Sequence, residues 1–298
     1  MRTLCIGHIV YDIILPVGEK LETNKKYYIK NTYEKITNPI INASILLSNW
    51  DLDVNICGVC GKDYYGDKLM EILRQNEVNT DYLQQQNGIK TDINYTILNN
   101  NKETTTIISE NPKIHDLIDI PVKSSVILMD GEELLTSIKT IENNPLSLTI
   151  LNADNTKEDT LTLAKKVNYL ICTINFIEEY TKIKIDINNI DTIICAYQEL
   201  ELSFKNNIIL NLGKNGSFTK IKDEYCLVPT IKTDEQEIGN IENYYCGAFT
   251  YFLEKNYPLL KAMYLANITS TLMNLNNKEN SIPSLEEVLE RGNVNDII

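Results

Sequence analysis

The 298-residue chain is 43% apolar and carries 28 Lys and Arg against 41 Asp and Glu, a net charge of −13. That is apolar material enough for one large core, and lysines scattered among acids exclude a phosphate-tracking surface, so no nucleic-acid partner is expected. No apolar run reaches the roughly 18 residues that span a bilayer, and MRTLCIGHIVYDIIL lacks a basic region and a small-residue cleavage site, which points to the cytoplasm and to no membrane partner.

In chain order, TLCIGHIVYDII reads as a buried strand that exits at Gly7 and continues to Asp12. Residues 23–36, TNKKYYIKNTYEKI, alternate as a half-exposed antiparallel strand would. INYTILNNNKETTTIIS gives two more alternating runs around the turn-forming Asn99, Asn100 and Asn101. These pieces, about 13–36 and 90–110, predict a small β lid outside the core. Between and after them come IINASILLSNW as helix, VNICGV as strand, YYGDKLMEILRQN as helix and SSVILMD as strand. EELLTSIKTI (helix), LSLTIL (strand), KEDTLTLAKKV (helix), NYLICT, DTIICA and NNIILNL (strands) follow, with three helices at about 243–255, 258–275 and 284–291. Buried runs separated by amphipathic helices predict one α/β domain over 1–298, a mostly parallel sheet with helices on both faces.

In such a fold ligands gather where strand ends lead into helices, and four such turns carry chemistry. GVCGKDYYGDKL (58–69) holds three glycines and Asp63. LGKNGS (212–217) puts Gly213 and Gly216 in a tight turn, NFIEE offers Asn175 and Glu178, and EIGNIENYYCGAF (237–249) joins a strand-like run to an apolar helix. Seven cysteines, mostly inside apolar runs, read as reduced structural thiols; Cys57 and Cys60 lack a second C-x-x-C for zinc, and His8 and His115 have no companion at ligand spacing.

In this order the motifs resemble the ribokinase-like, or PfkB, family of ATP-dependent carbohydrate kinases. G-x-V-G-x-D-x-x-G is seen as Gly58, Val59, Cys60, Gly61, Lys62, Asp63 and Gly66, with Cys60 at the valine position; Asn175 and Glu178 match N-x-x-E; Gly213 and Gly216 match a late G-x-x-G. AMYLANITSTL and SIPSLEEV resemble the family's C-terminal end, so the resemblance covers nearly the whole chain. It implies a three-layer fold with a β-sheet lid, and ATP and Mg²⁺ as cofactors. It places Asp12, Asn38 and Asn42 at the sugar-like substrate, Gly213, Gly216 and Asn267 near the nucleotide, and Asn175 with Glu178 as organisers of the metal.

Two departures matter. Thr37 and Asn38 stand where the family has a glycine pair against the sugar. EIGNIEN stands where the family has D-T-x-G-A-G-D, with Asn243 at the position of the general-base aspartate. An amide cannot take a proton at neutral pH, so Glu242 or a displaced acid becomes the expected base, with Gly239, Asn240 and Ile241 as the altered anion site. Losing such a base costs roughly 10²- to 10⁴-fold in rate. Each feature also has a plainer reading: Asp12 as a turn residue, Asn175 and Glu178 as a helix cap, Glu242 as a complement to the helix dipole, Tyr27, Tyr28 and Tyr33 as cross-strand packing or a dimer face. The expected function is phosphoryl transfer from ATP to a hydroxyl of a sugar-like substrate, with a homodimer contact through the lid. The alternatives are a non-catalytic ligand-binding or assembly protein on the same scaffold and a kinase of a non-sugar alcohol.

Overall fold

Short apolar, β-branched runs build the central sheet of the computed structural model, which describes residues 2–34, 38–100, 104–112, 116–231, 242–275 and 282–293. Of Glu242, Asn243, Asn274 and Leu275 only the backbone is described. The first half contains β1 (Arg2–Ile6), β2 (Val10–Gly18), β3 (Tyr33–Glu34), α1 (Pro39–Asn49), β4 (Asp53–Gly61), α2 (Tyr64–Gln75), β5 (Asn79–Gln86), β6 (Asp92–Asn99) and β7 (Thr104–Ser109). The second contains β8 (Val126–Met129), α3 (Leu134–Asn143), β9 (Leu148–Ala153), α4 (Glu158–Ala164), β10 (Tyr169–Cys172), α5 (Ile174–Thr181), α6 (Ile190–Ser203) and β11 (Asn207–Asn211). The hairpin β12 (Ser217–Ile221) and β13 (Glu224–Val228) precedes α7 (Glu242–Glu254), α8 (Leu259–Leu275) and α9 (Leu285–Gly292).

Among the described residues the main sheet has the order β13-β12-β11-β10-β9-β8-β1-β4-β5, and a second sheet the order β3-β2-β6-β7. In the main sheet every pairing is parallel except those of the β11–β12–β13 meander. Both faces are buried, as the near-continuous apolar strands require. One face packs Leu128, Ile150, Ile171 and Ile209 against α1, α7 and α8. The other packs Leu4, Ile127, Leu170 and Leu210 against helices that include α4, α5 and α6. This is the predicted three-layer α/β fold with a small second sheet. No helix among the described residues is long and apolar enough to cross a membrane.

Three expected elements differ. TLCIGHIVYDII is two strands in two sheets, β1 and β2, broken where the Asp130 carboxylate lies over Gly7; a Cβ there would sit 2.3 Å from it. Among the described residues of 23–36 only Tyr33–Glu34 are strand, because most of the run is exposed and Tyr27 instead closes a local turn, accepting from Glu22 N at 2.7 Å. DTIICA belongs to a helix: α6 continues to Ser203 and buries Ile193, Ala196, Tyr197 and Leu200, a helical stripe that six residues were too few to reveal. β5 and β12 escaped the reading because polar residues interrupt both, NTDYLQQQ and SFTKI, and leave no clear apolar period.

The motif GVCGKDYYG works in this chain as a joint. Asp63 caps α2 through Gly66 N at 2.9 Å and accepts from Thr91 N at 2.8 Å and Thr91 Oγ1 at 2.7 Å. Burial pushes its carboxyl up, but those hydrogen bonds outweigh it and hold the group below the ordinary range. The main sheet is thereby fastened to Thr91, the residue before β6 of the second sheet.

Candidate active site

Where β2 leaves the main sheet, alternation carries Asp12 into a buried position, and Asn94 Nδ2 of β6 donates to its Oδ1 at 3.0 Å. α1 begins beside it at Pro39. Asn38 caps that helix: its Oδ1 accepts from Ile40 N at 2.9 Å and Ile41 N at 3.0 Å, so its carboxamide oxygen is engaged at the helix start. One turn on, Asn42 is buried, and its Nδ2 has no hydrogen-bond partner among the described residues. Asn42 lines a cavity of about 400 Å³ together with Tyr11, Glu34, Lys68, Tyr244 and Met273. Tyr244 joins this cavity to Asp12: burial first, then the Asp12 charge, pushes its phenol up to about 12. An unpartnered buried amide on a residue that borders a cavity is a candidate partner for a ligand hydroxyl or a water.

A second group of polar residues ends the strands β9, β10 and β11. Thr173 Oγ1 donates to Asp154 Oδ1 at 2.7 Å and also caps α5. Asn211 Oδ1 accepts from Gly213 N at 3.1 Å, while Asn211 Nδ2 and Asn152 Oδ1 lack partners among the described residues. Two residues beyond core-facing Ile209 and Ile150, Asn211 and Asn152 lie on the face toward α7 and α8. Gly213–Asn215 forms a single 3₁₀ turn and Gly216 follows at φ 91°, a conformation reserved for glycine. Asn267 of α8 places Nδ2 3.0 Å from Ser217 Oγ, 3.0 Å from Val228 O and 3.1 Å from Pro229 O. The expected nucleotide residues Gly213, Gly216 and Asn267 therefore come together, and the geometry of Asn267 is that of a clamp on the hairpin.

Asn175 and Glu178 separate in role. Asn175 lies in the first turn of α5 within hydrogen-bond reach of Asp154, whose carboxyl burial pushes up. Glu178 turns away: its Oε2 meets Lys184 Nζ at 2.7 Å and its Oε1 accepts from Ile185 N at 3.0 Å, and these partners hold its carboxyl below the ordinary range. No group of three or more metal-ligating side chains gathers among the described residues. Glu178 is thus engaged by Lys184 and the backbone of Ile185 in the ligand-free chain.

The first turn of α7 stands between these two groups. Tyr244 points toward Asp12 and the cavity, while Tyr245 packs beside Ser217. Cys246 Sγ reaches Pro39 O at 3.8 Å, and Gly247 lets the helix close on α1, since a Cβ there would lie 2.7 Å from Ala43 Cα. Glu242 and Asn243 open this helix, their side chains outside the described residues, as are Gly239, Asn240 and Ile241 entirely. Sequence reasoning missed Tyr244, Asp154, Thr173 and Asn211. The signal for the last three was there: each is a polar residue at the end of an apolar strand.

The pfkB family carbohydrate kinase model matches residues 2–237, most of the chain, and stops at the first residue of EIGNIEN. The chain belongs to the pfkB family of carbohydrate kinases. No curated protein sequence matches it. Among solved structures, this pfkB-family chain is similar to a ribokinase of Arabidopsis thaliana complexed with ribose and ATP, with a TM-score of 0.79, 14% identity and 98% of each chain covered. A Cryptococcus neoformans ribokinase in complex with ADP gives a TM-score of 0.80 at 15% identity over 97% of this chain and 98% of that one. A nucleoside kinase of Methanocaldococcus jannaschii gives 0.75 at 18% over 98% and 97%. At such identities these likenesses establish the fold, and the family match carries the membership.

Proposed function

We propose that this pfkB-family chain transfers the γ-phosphoryl of ATP to a hydroxyl of a sugar-like molecule. The observation that carries the reading is the first turn of α7, set between a cavity with an unpartnered buried amide and a glycine turn bordered by unpartnered polar groups. Asn42, Tyr244 and Asp12 hold the acceptor. Gly213 and Gly216 form the tight turn that meets the nucleotide, Gly216 letting it close on β13 and Asn267 fixing it. Backbone N–H groups at the start of α7, preceded by Gly239, Asn240 and Ile241, face the transferring phosphoryl, as orphan donors of any helix start do. Mg²⁺ would accompany the nucleotide's phosphates and offset their charge, with Asn175 and Glu178 as the residues that would organise it and its waters and Asp154 bonded to Asn175. The hydroxyl proton goes to Glu242 or to a displaced acid. All seven cysteines are free thiols, which suits the cytoplasm, where ATP is the available donor.

A panel of pentoses, hexoses, nucleosides and simple polyols tests this by ATP-dependent appearance of a phosphorylated acceptor. Turnover with one class is the expected outcome. One observation favours a second reading: an amide, Asn243, stands where the base is expected. If acceptors raise the melting temperature and no ATP is consumed, the chain is a ligand-binding member of the family.

The second sheet is also where we place a homodimer contact. Edge strand β7 is exposed along its length, Ile107 and Ile108 at 56% and 58%, and unpaired edges of this kind recruit another strand. Sedimentation velocity should show a dimer that Ile107→Lys dissociates; a monomeric wild-type protein would contradict it.

A further inference from the structure

Asp130 follows β8 at the centre of the main sheet's carboxyl edge, two residues after core-facing Leu128 and thus on the face toward α1 and α7. Its carboxylate is fixed on two sides. Oδ2 accepts from His8 N at 2.8 Å and Oδ1 from Glu132 N at 3.1 Å, and the group lies over Gly7, where any Cβ would collide with it. Each oxygen takes one backbone donor, so each retains a lone pair. It is half-buried, so part of it meets solvent. It lies in the electrostatic field of Cys246, one turn along α7 from Asn243. Positions 243 and 246 share a helix face, so the face of α7 that feels this carboxylate is the one on which position 243 lies.

We propose that Asp130 is the displaced general base, a role that rests on the phosphotransferase reading above. The acceptor oxygen forms its bond to the γ-phosphorus as the bond from that phosphorus to the β–γ bridging oxygen breaks. ADP leaves with the electron pair, and the hydroxyl proton passes to Asp130. Glu242 then complements the positive end of α7.

The environment suits the task. Burial, then the Glu132 charge, pushes the carboxyl up to about 6, against the smaller opposing pull of His8. The groups facing it are Glu132 on its own turn, His8 after β1, itself 2.7 Å from Asp92, Cys5 on β1 and Cys246 on α7. A folded value above the unfolded one opposes folding at neutral pH, and that opposition eases as pH falls below the folded value and is gone only below the unfolded one.

The test is the pH profile of kcat for wild type, Asp130→Asn and Glu132→Gln with the acceptor found in the panel. The expected wild-type profile rises through an acid limb near pH 6. Glu132→Gln moves the limb to lower pH by removing a like charge. Asp130→Asn loses the limb and 10²- to 10⁴-fold in kcat, more than Glu242→Gln loses, with nucleotide-dependent thermal stabilisation retained. Wild-type kcat in Asp130→Asn, or a limb that Glu132→Gln does not move, overturns the role while leaving the phosphotransferase reading intact. If Asp130→Asn does not fold, the Glu132→Gln shift decides. Absence of turnover by the wild type with every acceptor overturns both.

Discussion

Gly216→Val should lower the melting temperature by roughly 10 °C and abolish nucleotide-dependent stabilisation. A Cβ at Gly216 would lie 2.1 Å from Val228 O and 3.1 Å from Pro229 Cα, both backbone atoms that cannot rotate away, at a φ of 91°. Left-handed strain costs about 1–3 kcal/mol and overpacking about 1–3 more, and the larger sum corresponds to a shift of that size in a chain of this length. Gly88→Ala is the control. It shares the positive φ, 77°, but nothing lies within 4 Å, so only the conformational cost of about 1 kcal/mol remains. Differential scanning calorimetry of the two variants separates collision from strain; equal losses would contradict the close approach of the 3₁₀ turn to β13.

Asn42→Leu should do the reverse, leaving the fold equally or more stable while removing acceptor binding. The Asn42 Nδ2 is buried without a partner, a state that costs about 1–3 kcal/mol, and a near-isosteric leucine relieves it. The same substitution deletes the donor offered to the acceptor, for which a loss of about 10- to 100-fold in affinity is expected. Thermal melts and acceptor titrations on one preparation read both effects. A destabilised Asn42→Leu that still binds acceptor would remove Asn42 from the site.

Much of the fold was legible because its physics is local. Runs such as VILM and YLIC are too short and apolar for anything but buried strands, and Asn38 and Asp63 announce helix starts by type. The boundary at Gly7 was not legible, since the cause is a carboxylate 123 residues away, over a glycine that sequence shows only as a break. α6 was misread because Ile193 and Ala196 count as helical only with Tyr197 and Leu200. For the site, sequence and structure divide the work. The glycines and Asn267 were found in sequence, but whether a side chain is open or spent depends on partners: Glu178 is taken by Lys184, Asn38 by its own helix, whereas Asn42 keeps a donor open. Asp130 carried no motif, and only its position under α1 and α7 marks it.

The central claim is that the start of α7 is where phosphoryl transfer takes place. A crystal structure with a non-hydrolysable ATP analogue tests it most directly. The γ-phosphate is predicted at the first turn of α7, between the Asn211–Gly213 edge and Asp130, with the cavity at Asn42 opening toward it. A γ-phosphate bound elsewhere, or residues 237–243 filling that position, would contradict the claim.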